Sequence, residues 1–178
     1  MKTIVFNDDN LSEDEVAVTS IKARGILINN EKEILVAKYG GVLLLPGGTL
    51  DKGEEIEETL VRELREELGL EILVENRTPD LLIEQLVKNY PRRRNAGFTD
   101  RLSSTYYFLI HTNEIFDNMC GELTESENKC NFTTFLVPIN NVAEIVTQNA
   151  ESTINPRDKY FSRELLAVVE ETKKLVRR

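Results

Sequence analysis

Three glutamates, Glu63, Glu66 and Glu67, recur at three- and four-residue spacings near the middle of the chain. Residues at these spacings are neighbours on one face of an α-helix, so a helix here would bring three carboxylates together. Like charges placed in this way repel by about 0.2–0.5 kcal/mol per exposed pair unless a cation lies among them. Hard divalent cations such as Mg²⁺ take carboxylate oxygens as ligands and also bind substrate phosphates. The spacing suits a metal site, but for a glutamate-rich helix taken alone a solvated acidic face is the favoured interpretation.

The sequence around these glutamates predicts a loop followed by a helix. Pro46 ends an apolar run, and the glycines Gly47 and Gly48 would let a ligand or an ion approach the main chain. Residues 55–68 contain no proline or glycine, and Gly69 is typical of the residue that ends a helix. Apolar residues recur through this stretch with the period of a helix; they are Ile56, Leu60, Val61, Leu64 and Leu68.

Residues 48–70 resemble the signature of the Nudix hydrolase family at every defining position. In this sequence Gly48 is followed by five free positions, then Glu54, then seven free positions and the run RELREELGL at 62–70. The family pattern for that run is REUXEEXGU, in which U is a bulky aliphatic residue. A chance match to so many defined positions is rare, so the resemblance outweighs the interpretation as a solvated face.

The resemblance implies a role for each acidic residue of the signature. Glu66 and Glu67 are expected to be the principal ligands of a Mg²⁺ or Mn²⁺ ion, together with the carbonyl oxygen of Gly48. Glu63 is expected to be either a further ligand or the general base. These three glutamates are therefore the candidate catalytic residues.

Two further features of the family are expected to support the metal site. Arg62 and Glu54 would form a charge pair that holds the loop against the helix and so orients the metal ligands. A carboxylate from the loop before the last strand often joins the site, and Glu125 and Glu127 are the candidates here.

The implied reaction is the metal-dependent hydrolysis of a pyrophosphate bond in a nucleoside diphosphate that is linked to another group. Metal ions neutralise phosphate charge in such reactions, and a base orients the attacking water. The substrate could be a nucleotide sugar, a nucleoside triphosphate or a dinucleoside polyphosphate. The alternative is a protein of the same fold that senses a nucleotide without hydrolysing it, although none of the signature glutamates is missing.

Basic residues outside the signature are candidates for binding substrate phosphates. Residues 88–98 predict a loop with concentrated positive charge, and arginine's forked donors suit phosphate groups. A solvated surface loop is the other interpretation of this segment. Tyr90 and Phe98 would either stack on a nucleobase or pack within the loop. The candidate phosphate contacts are Arg24, Lys38, Arg92, Arg93, Arg94 and Arg101.

The resemblance implies an α/β fold, the Nudix α/β/α sandwich, with a mixed β-sheet and the loop-helix of the signature against it. Residues 16–28 and 34–39 predict a hairpin, and further strands are predicted at 42–45, 70–74, 81–87, 104–110 and 133–137. Helices are predicted at 142–146 and 163–176, the second capped by Ser162. Residues 1–14 would form a short edge strand or a loosely held arm.

Length and composition bound the class of protein. A chain of 178 residues with 40% hydrophobic residues is long enough for one buried core, so we expect residues 1–178 to form a single domain. The net charge of −9 argues against nucleic acid as a partner, and no apolar run is long enough for a membrane span. Cys120 and Cys130 are expected to be reduced thiols in a cytoplasmic protein, and a homodimer is left open.

Overall fold

The computed structural model describes residues 1–72, 77–92, 96–113 and 131–176. Within these ranges a mixed β-sheet carries helices on both of its faces. The predicted α/β sandwich is therefore confirmed, and the sheet and the helices together position the glutamates of the signature.

Eight strands of the described residues form the sheet. They are β1 (Lys2–Phe6), β2 (Val18–Ile28), β3 (Glu33–Tyr39), β4 (Val42–Leu44), β5 (Gly47–Thr49), β6 (Leu81–Pro91), β7 (Phe98–His111) and β8 (Thr133–Pro138). The order is β1-β6-β7-β2-β3-β4, with β5 paired to β2 and β8 paired to β3. The β2–β7 pair is parallel along the full length of β2, and the β2–β3 hairpin forms as predicted.

Three α-helices cover the sheet in the described part of the chain: α1 (Ile56–Leu68), α2 (Val142–Ser152) and α3 (Asp158–Leu175). Helix α1 carries the signature glutamates. It ends where Gly69 takes a left-handed conformation at φ 66° and donates its N–H to the carbonyl of Arg65 at 2.9 Å. The helix therefore stops where the sequence predicts.

Alternation along the strands divides the core between the two faces of the sheet. On one face, Leu60, Leu64 and Leu68 of α1 are buried, each contributing about 1.5–3 kcal/mol through burial. They pack against residues of β2, β3 and β7, namely Ala23, Leu27, Leu35, Phe108 and Ile110. On the other face, Ile26, Ile28, Ile34, Val36 and Tyr107 pack against α2 and α3, through Val142, Val146, Leu165, Val168 and Val169. Helix α1 is thus fixed on the sheet independently of the C-terminal helices.

The prediction of a loop over residues 88–98 is wrong at both ends. Strand β6 continues to Pro91, and β7 begins at Phe98. The pairing of β6 with β7 shifts register between Val87 and Tyr90, so the polar residues Lys88 and Asn89 lie at an irregularity within the strand. Asn89 adopts a φ of 53° there. The N–H of Asn89 donates to Asp100 at 2.8 Å, a contact with the partner strand that no local sequence pattern reveals.

The predicted strand over residues 70–74 is also wrong in its described part. Leu70 and Ile72 lie outside any strand, and both pack against the core below α1, which accounts for their apolar character. Residues 73 and 74 lie outside the described ranges.

The two C-terminal helices begin or end elsewhere than the sequence predicts. Helix α2 runs on to Ser152 rather than ending at residue 146. Helix α3 begins at Asp158, one turn before the predicted start at residue 163. Ser162 therefore lies inside the helix rather than capping it, and its hydroxyl donates to the Asp158 carboxylate at 3.1 Å. The earlier start places Phe161 in the helix, and both Phe161 and Arg157, the residue before the helix, line the cavity described below.

The N-terminal segment forms the edge of the sheet. Strand β1 pairs with β6 in parallel, from Lys2 opposite Leu81 to Phe6 opposite Gln85. Among the described residues, no helix combines the length and the apolar character needed to cross a membrane.

Candidate active site

Strand β5 positions the loop of the signature. It pairs with β2, so that Gly47 lies opposite Arg24 and Gly48 opposite Ala23. Gly47 has a φ of 123°, and a side chain there would overlap the carbonyl of Ala23, so only glycine fits. Its N–H donates to the Glu67 carboxylate at 2.7 Å. Strand, loop and helix therefore meet at Gly47.

Arg62 lies at the centre of a cluster of carboxylates. Its Nε is 2.7 Å from Glu54 Oε1 and its Nη2 is 3.0 Å from Glu54 Oε2, so the pair is bidentate. Its Nη1 donates to Glu63 at 2.8 Å and to Glu66 at 3.3 Å. The Thr59 hydroxyl donates to Glu54 at 2.8 Å. Glu54 thus holds Arg62 where the guanidinium can contact two of the three signature glutamates.

Hydrogen bonds from Arg62 lower the pKa of the Glu54 carboxyl to about 2, from an ordinary value of 4.5. The folded-state pKa lies below the unfolded value, so the ionised carboxylate stabilises the fold above pH 4.5. That contribution is lost as the pH falls through the folded-state pKa of about 2.

Replacing Glu54 by glutamine is expected to lower the free energy of unfolding by about 1–2 kcal/mol near neutral pH, because Arg62 loses its charged partner. The difference from the wild type should shrink as the pH falls from 4.5 to about 2. Urea unfolding across a pH series measures this difference, with Glu57→Gln as a control for the loss of one charge on α1. A difference that stays constant with pH would exclude the Glu54 carboxylate as its source.

Glu63 and Gly48 are in direct contact. A Cβ placed on Gly48 would overlap the carboxylate of Glu63, which therefore lies against the bare main chain of the loop. Glu63 and Glu67 are both buried, and Glu66 is more exposed at the mouth of the site. The signature thus places two glutamates below the loop and one at its edge.

The donor set fits a hard divalent cation. Three carboxylates on one flank of α1 adjoin a loop whose main chain is open at Gly48, and oxygen donors of this kind are those that Mg²⁺ and Mn²⁺ take. As the side chains stand, no three acidic groups in the described ranges converge on one point. The reason is that the Arg62 guanidinium acts as the cation between Glu63 and Glu66, while Glu67 faces Gly47.

A cavity of about 630 Å³ opens in front of these glutamates. Glu63, Glu66 and Glu67 form its acidic wall. Two buried cations from β2, Lys22 and Arg24, line the same cavity. They share one face of the strand, since alternate residues of a strand do so. The cavity therefore holds both carboxylates and cations, which suits a ligand that brings both phosphates and a metal ion.

Lys22 and Arg24 differ in what they contact. The Nζ of Lys22 lies 3.0 Å from the Ser103 hydroxyl and 5.6 Å from the centre of the Phe161 ring. The guanidinium of Arg24 donates to the carbonyl oxygens of Leu45 and Gly47, the latter at 3.0 Å. Arg24 thus supports the loop of the signature from below as well as lining the cavity.

An apolar wall closes one side of the cavity. Tyr39, Leu44, Phe132 and Phe161 line it and belong to one small core cluster. Their sequence positions lie on four separate elements or loops, so no local pattern links them. A flat aromatic group of a ligand would find its apolar contacts on this wall.

The remaining candidate phosphate contacts fall in three places. Arg92 and Arg101 line the cavity. Lys38 lines a neighbouring one instead, and Arg93 and Arg94 lie outside the described residues. The same is true of four other residues singled out from the sequence: Cys120, Glu125, Glu127 and Cys130.

Tyr90 and Phe98, the two aromatic residues of residues 88–98, differ in burial. Tyr90 is buried, with its ring centre 5.1 Å from that of Tyr160 and 4.9 Å from the Arg101 guanidinium. Phe98 is 65% exposed. Tyr90 thus packs between β7 and α3 while also lining the cavity.

Lys22, Arg157 and Phe161 are among the cavity residues that were missed in the sequence. Lys22 could have been found, because it alternates with Arg24 on a predicted strand. Arg157 and Phe161 gave no such signal, since the predicted start of the last helix lay beyond them. Their contribution depends on how α3 packs against the sheet.

Comparison with known proteins gives a family and several relatives. The family model described as the NUDIX domain matches residues 19–163. An 8-oxo-dGTP diphosphatase of Proteus vulgaris is 26% identical over 114 residues, which cover 61% of this chain and 85% of the relative.

Among solved structures, a MutT protein from Methanosarcina mazei Go1 is similar over 92% of this chain and 99% of its own, with a TM-score of 0.55 and 13% identity. A MutT protein from Bacillus halodurans is similar over 70% of this chain and 72% of its own, with a TM-score of 0.45 and 20% identity. The first of these likenesses supports the fold.

Proposed function

The chain belongs to the Nudix family and is one of its pyrophosphohydrolases, and from this premise we propose that it hydrolyses a nucleoside diphosphate derivative with the help of a divalent metal ion. The observation that carries the proposal is the cavity that Glu63, Glu66 and Glu67 line together with Lys22 and Arg24. Such a site can accept the negative charge of a polyphosphate and the positive charge of its metal ion together.

Glu66 and Glu67 would hold the metal ion, with the carbonyl oxygen of Gly48. Bound there, Mg²⁺ or Mn²⁺ would neutralise phosphate oxygens and lower the barrier to attack by water. Glu67 is buried and anchored to the Gly47 N–H, which fixes its carboxylate relative to the loop. Glu63, in contact with Gly48, would be either a further ligand or the base that orients the water.

Arg62 would have two tasks in this proposal. In the structure it neutralises Glu63 and Glu66, and its bidentate bond to Glu54 keeps it beside them. With a metal ion as the counter-charge, Arg62 would still be held by Glu54 and would still join the loop to α1. This is a positioning role, since Arg62 acts through the glutamates it touches.

Lys22 is the residue we assign to the substrate phosphates. It is buried, and a cation held in this way interacts strongly with an anion because little water screens it. The apolar wall of Tyr39, Phe132 and Phe161 would receive the base of the nucleotide. The 8-oxo-dGTP diphosphatase relative makes nucleoside triphosphates, including oxidised ones, the first substrates to test.

The alternative is a sensor that binds a nucleotide without cleaving it. All the signature glutamates are present, and Glu63, Glu66 and Glu67 line the cavity, which favours hydrolysis. Binding without turnover would nevertheless require only the cationic and apolar walls, so the two functions are separated by experiment.

We expect metal-dependent release of a nucleoside monophosphate from at least one member of a substrate panel. The panel contains nucleoside triphosphates with 8-oxo-dGTP, nucleotide sugars and dinucleoside polyphosphates, each with Mg²⁺, with Mn²⁺ and with chelator. Chromatography of the products identifies the bond that is cleaved, and the Glu66→Gln protein prepared in parallel controls for contaminating hydrolases. If nucleotides bind but none is cleaved with either metal, the sensor function is correct.

A further inference from the structure

A second cavity, of about 480 Å³, lies beside the one described above. Arg92 and Arg157 line both cavities, so they stand at the boundary between the two. Lys38 lines the second cavity and does not line the first. A ligand in the first cavity that is long enough would therefore reach the second by passing these two arginines.

The second cavity has an unbalanced positive charge. Among the described residues, Lys38, Arg92 and Arg157 line it, and no aspartate or glutamate does so. In the described part of the chain, none of the three cations forms an ion pair with a carboxylate. The whole protein has a net charge of −9, so a cluster of three cations without counter-charge is unusual for it. Uncompensated cations that share a cavity repel one another and favour the binding of an anion.

The wall of the cavity is fixed by hydrogen bonds between two distant segments. Asn155 donates its side-chain N–H to the carbonyl of Gly40 at 2.7 Å, and Asn149 donates to the carbonyl of Gly41 at 3.1 Å. A Cβ on Gly41, whose φ is 84°, would lie 2.9 Å from the Thr153 hydroxyl, so the two segments are in close contact. The turn that follows Lys38 is therefore held against the loop that precedes α3.

The cations are also held by their own segments. Arg157 donates its Nε to the Asn155 side chain at 3.4 Å, and its main-chain N–H to the same oxygen at 3.0 Å. The main-chain N–H of Arg92 donates to Gly97 at 2.9 Å across the end of the β6–β7 hairpin. The side chain of Arg157 and the main chain at Arg92 are thus held before a ligand arrives, which lowers the entropic cost of binding.

We propose that this second cavity binds a phosphate group. A phosphate carries up to two negative charges and several acceptor oxygens, and it can engage two forked arginines and a lysine at once. The phosphate is either a phosphomonoester of the substrate, distant from the bond that is cleaved, or free inorganic phosphate that acts as an effector. The first source rests on the proposed function, because it needs a substrate in the first cavity, and the second does not.

Lys38→Met is the variant that isolates the second cavity, because Lys38 does not line the first. Methionine keeps most of the aliphatic stem and removes the charge. Lys38→Arg retains the charge, and Lys32→Met makes the same charge change in the β2–β3 turn, away from the site. Thermal unfolding of each variant checks that the fold is retained.

The first measurement requires no turnover. Inorganic phosphate is titrated calorimetrically into the metal-free protein with chelator at low ionic strength. We expect saturable binding of phosphate to the wild type and a Kd about tenfold higher for Lys38→Met. The Kd of Lys38→Arg and of Lys32→Met should stay within about twofold of the wild-type Kd. Because this measurement needs neither metal nor hydrolysis, it remains valid if the proposed function fails.

The second measurement identifies the source of the phosphate. Turnover is compared within matched pairs that differ by one phosphomonoester, NADH with NADPH and dephospho-coenzyme A with coenzyme A. If the phosphate belongs to the substrate, the phosphorylated member of a pair has a KM about tenfold lower in the wild type, and Lys38→Met removes the difference. If phosphate binds but neither pair shows the difference, the source is free phosphate.

One combination of results overturns the proposal. The second cavity is not a phosphate site if two results are found together. Lys38→Met binds phosphate as tightly as Lys32→Met does, and Lys38→Met leaves the KM difference within each substrate pair unchanged. Failure of every substrate in the presence of metal, together with Lys38-dependent phosphate binding, would instead count against the hydrolase and leave the phosphate site standing.

Discussion

Glu66→Gln is expected to lower kcat by about 10²–10³-fold, because in the proposed function Glu66 would be a charged ligand of the metal ion that stabilises the transition state. Glutamine keeps the shape of the side chain, so loss of packing does not explain such an effect. Glu57→Gln makes the same charge change on α1 and does not line the cavity, and its kcat should stay within about twofold of the wild type.

The same variant tests the metal site through stability. A bound metal stabilises the native state by about 2.7 kcal/mol when its free concentration is a hundred times its Kd. We expect Mn²⁺ to raise the melting temperature of the wild type and of Glu57→Gln, and to have little effect on Glu66→Gln. Thermal unfolding with chelator and with Mn²⁺ measures the three shifts. A Glu66→Gln protein with the full metal-induced shift and full activity would remove Glu66 from the site.

The metal-free stability of Glu66→Gln depends on a contact that spacing alone does not show. The three glutamates at helical spacing predict mutual repulsion, and on that ground the loss of a charge would stabilise the protein. In the structure Nη1 of Arg62 lies 3.3 Å from Glu66, so part of the repulsion is already compensated. Glu66 is partly exposed, and we therefore expect the free energy of unfolding in chelator to change by less than about 0.5 kcal/mol.

Gly47→Ala is expected to destabilise the fold by about 2–5 kcal/mol, the largest stability effect of any single change in the loop. The φ of Gly47 is 123°, and the new Cβ would lie 2.8 Å from the Cα of Arg24 and overlap the carbonyl of Ala23. Both obstacles are main-chain atoms of β2, which cannot move without disturbing the sheet. Urea unfolding measures the effect.

Gly48→Ala should affect kcat more than it affects stability. Its Cβ would overlap the Glu63 carboxylate, the end of a flexible side chain that can turn away. We expect a cost in stability of no more than about 1 kcal/mol and a fall in kcat of about 10–100-fold, because Glu63 is displaced from the loop.

Gly53→Ala is the matched control for both glycine changes. Its φ of 93° is also unfavourable for alanine, but nothing lies within 4 Å of the new Cβ. It should therefore cost only the strain of the backbone, about 1–2 kcal/mol, and leave kcat unchanged. Equal destabilisation by Gly47→Ala and Gly53→Ala would show that the contact with β2 has no effect.

The loop-helix was predictable because its determinants are local. Leu60, Leu64 and Leu68 recur with the period of a helix, which is visible within a short stretch of sequence. Gly69 ends the helix because it adopts a left-handed conformation. The β2–β3 hairpin is equally local, since its turn residues lie between two apolar runs.

Errors arose where a residue's environment comes from distant parts of the chain. Lys88 and Asn89 appear to be loop residues, but Asp9 and Asp100 accept hydrogen bonds from their main-chain N–H groups and keep them in β6. The apolar character of Leu70 and Ile72 suggests a strand, whereas packing below α1 accounts for it. Propensity is a weak determinant in such cases, and tertiary contacts override it.

The sequence by itself determined the family, the three glutamates on one helix and the reaction class, because all of these depend on residues within one short segment. Only the tertiary structure decided which cations line one cavity with those glutamates. Lys22, Arg101 and Arg157 come from β2, β7 and the start of α3, and they meet because the sheet pairs β2 with β7 and α3 packs across the sheet. It likewise separated Lys38 from the first cavity and placed it in the second. Spacing along the chain defines neighbours within one helix, but neighbours across a sheet are set by strand order and packing.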